Sequence, residues 1–112
     1  GTSVNLFIQQ ANDLDTQQGA YIVEVVPQGP AAEAGLEGSA QTTSVSGIET
    51  PVGGDVITAI DGEPVNNFSD LLLEIANKDV DAIVNLTVIR GGEEQQLSVE
   101  LMPRPEDTSI LD

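Results

Sequence analysis

Ile83–Arg90 and Glu94–Leu101 bracket the pair Gly91–Gly92, and both segments alternate apolar with polar residues. Val84, Leu86 and Val88 interleave with Asn85 and Thr87 on the first, and Leu97, Val99 and Leu101 repeat on the second. A period of two sends one set of side chains to one face of a sheet. Two glycines between the runs supply the backbone freedom a tight hairpin turn needs. A chain committed to this hairpin must extend it into a sheet and cover its apolar face.

The rest of the sequence offers material for that. Ala20–Val26 is rich in β-branched and aromatic residues, with Tyr21, Val23 and Val25 on one face and Ile22, Glu24 and Val26 on the other. Only Glu24 interrupts its apolar character, which predicts cover on both faces. Pro27 to Pro30 ends that strand, and a short helix is expected over Pro30–Ala34, stopped by Gly35. Asp55–Ile60 is a second strong strand; Asp61–Gly62 turns it, and Glu63–Pro64–Val65 returns as an edge because proline cannot donate to a ladder. Asn66 and Asn67 are capping residues for a helix over Phe68–Asn77, in which Phe68, Leu71, Leu72 and Ile75 form a stripe. Lys78–Asp81 reads as a loop. Val4–Ile8 is a weaker strand candidate, and Phe7–Ala11 has the pattern of a helical turn.

Residues 37–53 read as an insert. Within it Thr42–Val45 and Ile48–Thr50 flank Ser46–Gly47 as a small exposed hairpin. The division expected is one domain over 1–102 and a loose polar tail over 103–112. The fold class is α+β and mainly β: a partly open barrel or sandwich of five to six strands capped by two helices, with a hairpin insert. The opening Gly1–Thr2–Ser3 reads as part of something longer.

Several chemistries are excluded by what the chain lacks. It has no histidine and no cysteine among its 112 residues, so a Ser-His-Asp triad, a Cys-His pair and a histidine zinc site have no ligands or bases here. Lys78 lies in a polar loop where its ammonium stays solvated, unlike a nucleophilic lysine. Asp13, Asp15, Gln17 and Glu24 have calcium-loop spacing, but Gln18 stands where the loop needs glycine and the last residue falls in a strand; an ordinary polar loop is the better reading. Gly53–Gly54–Asp55 lacks the lysine of a phosphate loop. Neither a metal nor another cofactor is expected. Nineteen acids against three bases (Lys78, Arg90 and Arg104) give a net charge of −16, which repels nucleic acid and anionic lipid. The acids are scattered, as on a solvated surface. A protein or peptide partner remains.

Three stretches in order resemble the PDZ domains of HtrA-type serine proteases. They are Gly19–Pro27 with Gly29–Leu36, then Gly54–Gly62 with Pro64–Val65, then Phe68–Ile75 with Val84–Gly91. The resemblance spans nearly the whole chain and implies a circularly permuted PDZ fold without catalytic residues of its own. It implies a ligand that is an extended peptide or unfolded-protein C-terminus, added as a strand beside the second helix. It implies a linked protease domain in an extracytoplasmic parent that can be homo-oligomeric. Carried over by position, the binding residues are Thr2, Ser3 and Val4 on the edge and Phe68, Leu72, Ile75 and Ala76 on the helix, with Leu71 turned toward the core. Members of the family carry a carboxylate-binding segment just before the first strand; Gly1–Thr2–Ser3–Val4 does not supply it. The insert over 37–53 is also a departure, with a surface extension as its plainer reading. The competing reading is a docking domain that assembles the parent protease and binds no free peptide.

Overall fold

The computed structural model describes residues 2–15, 17–25, 29–39, 41–79 and 82–101. In chain order the elements are β1 (Thr2–Ser3), α1 (Leu6–Ala11), β2 (Ala20–Tyr21), α2 (Pro30–Glu33), β3 (Gln41–Val45), β4 (Ile48–Val52), β5 (Val56–Ile60), β6 (Glu63–Pro64), α3 (Phe68–Ala76), β7 (Ile83–Arg90) and β8 (Glu93–Glu100). A six-stranded sheet runs β1-β2-β5-β7-β8, with β6 paired to β5, and β3–β4 form a separate two-stranded sheet. The α+β, mainly β class read from the sequence holds.

The β7–β8 hairpin is the longest ladder, with Val84 opposite Val99 and Leu86 opposite Leu97. Its turn uses φ of 60° at Gly91 and 82° at Gly92, the left-handed pair that matches strand twist. β5 pairs antiparallel with β7, and the short β6 returns along β5 as an edge.

Both faces of the sheet are covered, by different elements. Ala20, Ile57, Leu86, Val88 and Val99 join Leu71 and Ile75 of α3 in the larger core. Tyr21 and Val56 join Val4 and Ile8 in a smaller core on the opposite face, with Leu14, Val23 and Ile89 at its border. Cross-strand partners point the same way, and the registers agree: Ala20 pairs with Ile57 and Tyr21 with Val56.

Two sequence expectations are corrected at the N-terminal half. Val4–Ile8 is not a strand. Asn5 accepts a hydrogen bond from the Ile8 amide at 2.9 Å and starts a helix over Leu6–Ala11. The apolar residues there serve helical spacing, since Val4 and Ile8 are both buried in the smaller core. The long strand expected over Ala20–Val26 keeps regular pairing only at Ala20–Tyr21. Beyond it Ile22 still donates to the Asp55 carbonyl at 2.8 Å, but the Val23 carbonyl turns to Ser39 N–H at 2.9 Å. The alternation of faces breaks there, and Val25 packs with Ile22 against the larger core rather than with Tyr21. Val26–Gln28, where that strand was expected to end, lie outside the described residues, as do Val80 and Asp81 of the loop before β7 and the expected tail over 103–112.

The insert is a hairpin, with Ser46 at φ 50° and Gly47 at φ 82° in its turn. Its neck is closed by a reciprocal pair: Glu37 N–H donates to Asp55 Oδ2 and Asp55 N–H to the Glu37 carbonyl, both at 2.9 Å. Asp55 is fully buried and is neutralised by Arg90, whose Nε and Nη2 reach its two oxygens at 2.8 and 2.7 Å. That two-point contact also lifts the Arg90 guanidinium above its ordinary value. Gly54 lies close against the Ile22 backbone rather than turning the chain into β5. A Cβ there would collide with the Ile22 carbonyl oxygen, and the turn's left-handed residue is Gly53, at φ 86°.

Candidate functional site

The outer edge of the sheet is β1. Val4 N–H donates to the Gly19 carbonyl at 3.1 Å, so Val4 uses its backbone toward β2. Alternation along an antiparallel pair then turns the Ser3 N–H and C=O the other way, to the outside of the sheet. Ser3 also meets α3: its Oγ accepts the Phe68 amide at 3.0 Å. One edge strand and the start of one helix are thereby fixed side by side.

α3 is short but well started. Asn67 Oδ1 accepts from Asp70 N–H at 2.9 Å, and Asp70 Oδ2 accepts from Asn66 N–H at 3.2 Å. The carboxylate in the first turn also complements the helix dipole. The helix divides its apolar residues between two neighbouring stripes. Leu71 and Ile75 go inward, Ile75 retaining 9% exposure. Phe68 is half-buried against the larger core, Leu72 is 46% exposed, and Ala76 is exposed. Phe68, Leu72 and Ala76 are spaced by four and share one face.

The residues singled out from the sequence are therefore distributed as follows. Thr2 and Ser3 form the edge strand, and Val4 is buried in the smaller core. Phe68, Leu72 and Ala76 share an accessible stripe, while Ile75 belongs with Leu71 in the larger core. Ser3 as a side-chain bridge to α3 had no signal in the sequence, because its partner lies far along the chain.

Thr2 opens onto the other face. Thr2 pairs with Tyr21, a member of the smaller core, whereas Ser3 pairs with Ala20 of the larger one. On the Thr2 side a recess of about 230 Å³ is bounded by Thr2, Asn5 and Phe7 and by Ile48, Glu49 and Pro51 of the hairpin. Ile48 is 52% exposed and Phe7 38%. An apolar Ile48 directly after the Ser46–Gly47 turn was the sequence signal available for it.

The hairpin reaches this position through Asn12. Its Nδ2 donates to the Pro51 carbonyl at 3.0 Å, and its Oδ1 accepts from Gly53 N–H at 3.1 Å. The Tyr21 hydroxyl in turn accepts from Gly54 N–H at 2.9 Å.

Among the described residues no cluster of three or more histidine, cysteine or acidic side chains is placed to hold a metal. Lys78 pairs with Asp61 at 3.1 Å and Arg90 with Asp55 at 2.7 Å, so both described cations are engaged. The Asn85 amide, ahead of Lys78, holds the Asp61 carboxyl below its ordinary value.

A six-stranded sheet whose terminal strand lies open beside an apolar helix stripe defines a PDZ-like domain. The chain belongs to the PDZ domain family, whose model matches residues 7–101. It is 32% identical over 101 residues to the periplasmic pH-dependent serine endoprotease DegQ of Escherichia coli (strain K12), covering 90% of this chain and 19% of the relative. It is 35% identical over 107 residues to the chloroplastic protease Do-like 1 of Arabidopsis thaliana, covering 92% of this chain and 24% of the relative. The chain thus spans a quarter or less of these relatives' length, and what it matches is a PDZ domain rather than a catalytic one. The solution structure of GtR34C from Geobacillus thermodenitrificans superposes with a TM-score of 0.59 at 28% identity, over 83% of this chain and 88% of that one. No helix among the described residues is long and apolar enough to cross a membrane.

Proposed function

We propose that this PDZ domain captures extended or C-terminal segments of other proteins and presents them to, or thereby regulates, a linked serine protease domain. The observation that carries the reading is the outward Ser3 backbone, one open rung, set beside the Phe68–Leu72–Ala76 stripe by the Ser3–Phe68 hydrogen bond. An added strand gains main-chain hydrogen bonds from such an edge and selectivity from the helix beside it. In this reading Thr2 and Ser3 supply the edge and Phe68, Leu72 and Ala76 the apolar wall. Ile75 forms its floor, and Val4 anchors the edge from behind. The kinship to proteases named as periplasmic supports an extracytoplasmic parent.

The competing reading is a docking domain that assembles protomers or seats the protease domain. Leu73 and Ile83, 63% and 69% exposed, would suit such a contact. Fluorescence anisotropy with labelled peptides ending in an apolar residue separates the two. Saturable binding is expected, weakened about tenfold by Leu72→Ser, the loss of one apolar anchor. Leu72 is nearly half exposed and outside the larger core, so the melting temperature should barely move. Absence of saturable binding in a chain carrying its natural upstream residues favours assembly.

A further inference from the structure

We propose that the recess between β1, α1 and the inserted hairpin receives a lysine or arginine of the bound segment, one whose side chain points away from α3. The inference rests on the strand-addition reading above and assigns the insert a role in selecting what is bound.

Alternation supplies the geometry. A strand added to β1 continues the pleat of the sheet, so its successive side chains leave by opposite faces. On the Ser3 side they meet α3; on the Thr2 side they meet α1 and the hairpin, since Thr2 shares its face with Tyr21 and Val56. Thr2 itself borders the recess, which brings the recess to the sheet edge. Each bound peptide therefore presents every second residue to α3 and the others to this second wall.

The chemistry of the wall names its occupant. Phe7, Ile48 and Pro51 supply apolar surface, and Glu49 supplies a carboxylate held by the Thr42 hydroxyl at 2.7 Å. The described cations are bound elsewhere, to Asp61 and Asp55, so neither neutralises Glu49. A net charge of −16 adds a field that repels an acidic side chain. A long basic side chain satisfies both parts at once: its methylene stem lies along Phe7 and Ile48 while its cationic head reaches Glu49.

The test uses labelled peptides with an apolar C-terminal residue and otherwise alanine and serine. Two of them carry the same number of lysines, either in step with the terminal residue or out of step with it. Out-of-step lysines face the hairpin. The out-of-step peptide should bind about fivefold more tightly, the upper range for an exposed ion pair. Equal composition removes the overall field from the comparison. Glu49→Gln and Ile48→Ser should each reduce that preference while leaving the lysine-free peptide's affinity unchanged. Both residues are exposed, and an unchanged melting temperature verifies the fold. The proposal is overturned if the lysine-free peptide binds, and Leu72→Ser weakens it, yet lysine phase has no effect or its effect survives both substitutions. It is equally overturned if out-of-step leucine binds better than out-of-step lysine, which would make the recess an apolar pocket. If no peptide binds, strand addition itself fails and the recess has no such role.

Discussion

Two of the molecule's hairpins, β3–β4 and β7–β8, have nearly the same turn and very different standing. Ser46–Gly47 has φ values of 50° and 82°; Gly91–Gly92 has 60° and 82°. Both turns therefore satisfy the same local requirement. The strands they join differ. β7 and β8 carry Val84, Leu86, Val88 and Val99 into the larger core. In β3 and β4 only Thr50 is buried, and most of β3 is exposed. One hairpin is held by burial along its length; the other is held at its neck by Asp55 and Arg90 and along one side by Asn12. Turn chemistry decides that a hairpin forms, while its attachments decide whether it unfolds with the domain or by itself.

The largest expected effect tests the first half of that contrast. Leu86→Ala removes a side chain that is 2% exposed from the middle of β7. Loss of transfer energy plus a residual cavity should cost about 2 to 4 kcal/mol. Urea denaturation followed by circular dichroism should show one cooperative transition at a lower midpoint, with hydrogen exchange accelerated across the whole sheet. Acceleration confined to β7 and β8 would mean that this hairpin, too, opens alone.

The same contrast explains what the sequence disclosed. Periodicity reports burial, so β5, β7, β8 and the apolar stripe of α3 were readable from apolar spacing alone, while the inward turn of Leu71 within that stripe came from the family resemblance. The Ser46–Gly47 hairpin was readable from its turn. Attachment was not, because it depends on polar groups meeting across the chain: Asn12 with Pro51 and Gly53, Ser3 with Phe68, Asp55 with Arg90. Short elements also misled. Val4–Ile8 contains too few residues for periods of two and four to be told apart, and the capping hydrogen bond of Asn5 settles it as helix. At the candidate site, the edge strand and helix were legible through the family resemblance. The second wall was hidden because the hairpin's packing on α1 leaves no periodic signal.

A smaller effect should follow from cutting one attachment. Asn12→Ala removes the amide that donates to Pro51 and accepts from Gly53. Those groups lie at the hairpin's margin where water can replace the lost partner, so the expected cost is about 1 kcal/mol. The informative readout is its location. Amide exchange should quicken over 41–53 while β5, β7 and β8 keep their protection. Uniform acceleration would show that the insert is a cooperative part of the domain and would erase the distinction between the two hairpins.

The smallest effect concerns a third turn, on the main-sheet side. Asp61, at φ 49°, joins β5 to β6; its Oδ1 accepts from Asn85 N–H of β7 at 2.8 Å and its Oδ2 meets Lys78 at 3.1 Å. The Asn85 amide first, and Lys78 after it, hold the folded carboxyl below its ordinary value of 3.8, with desolvation opposing them. A carboxyl lowered on folding adds stability that is fully present above that ordinary value and is lost as pH falls through the lowered one. The side chain is 35% exposed, so solvent screening limits the contribution to about 0.5 kcal/mol. Asp61→Asn keeps an oxygen for Asn85 but removes the charge. Relative to the wild type it should therefore be slightly less stable at pH 7, and that gap should close as the pH drops below 3.8. Denaturant midpoints measured in parallel at both pH values check this. A gap that widened in acid would reverse the sign and place the stabilising charge elsewhere, leaving Asp61 to hold β7 by geometry alone.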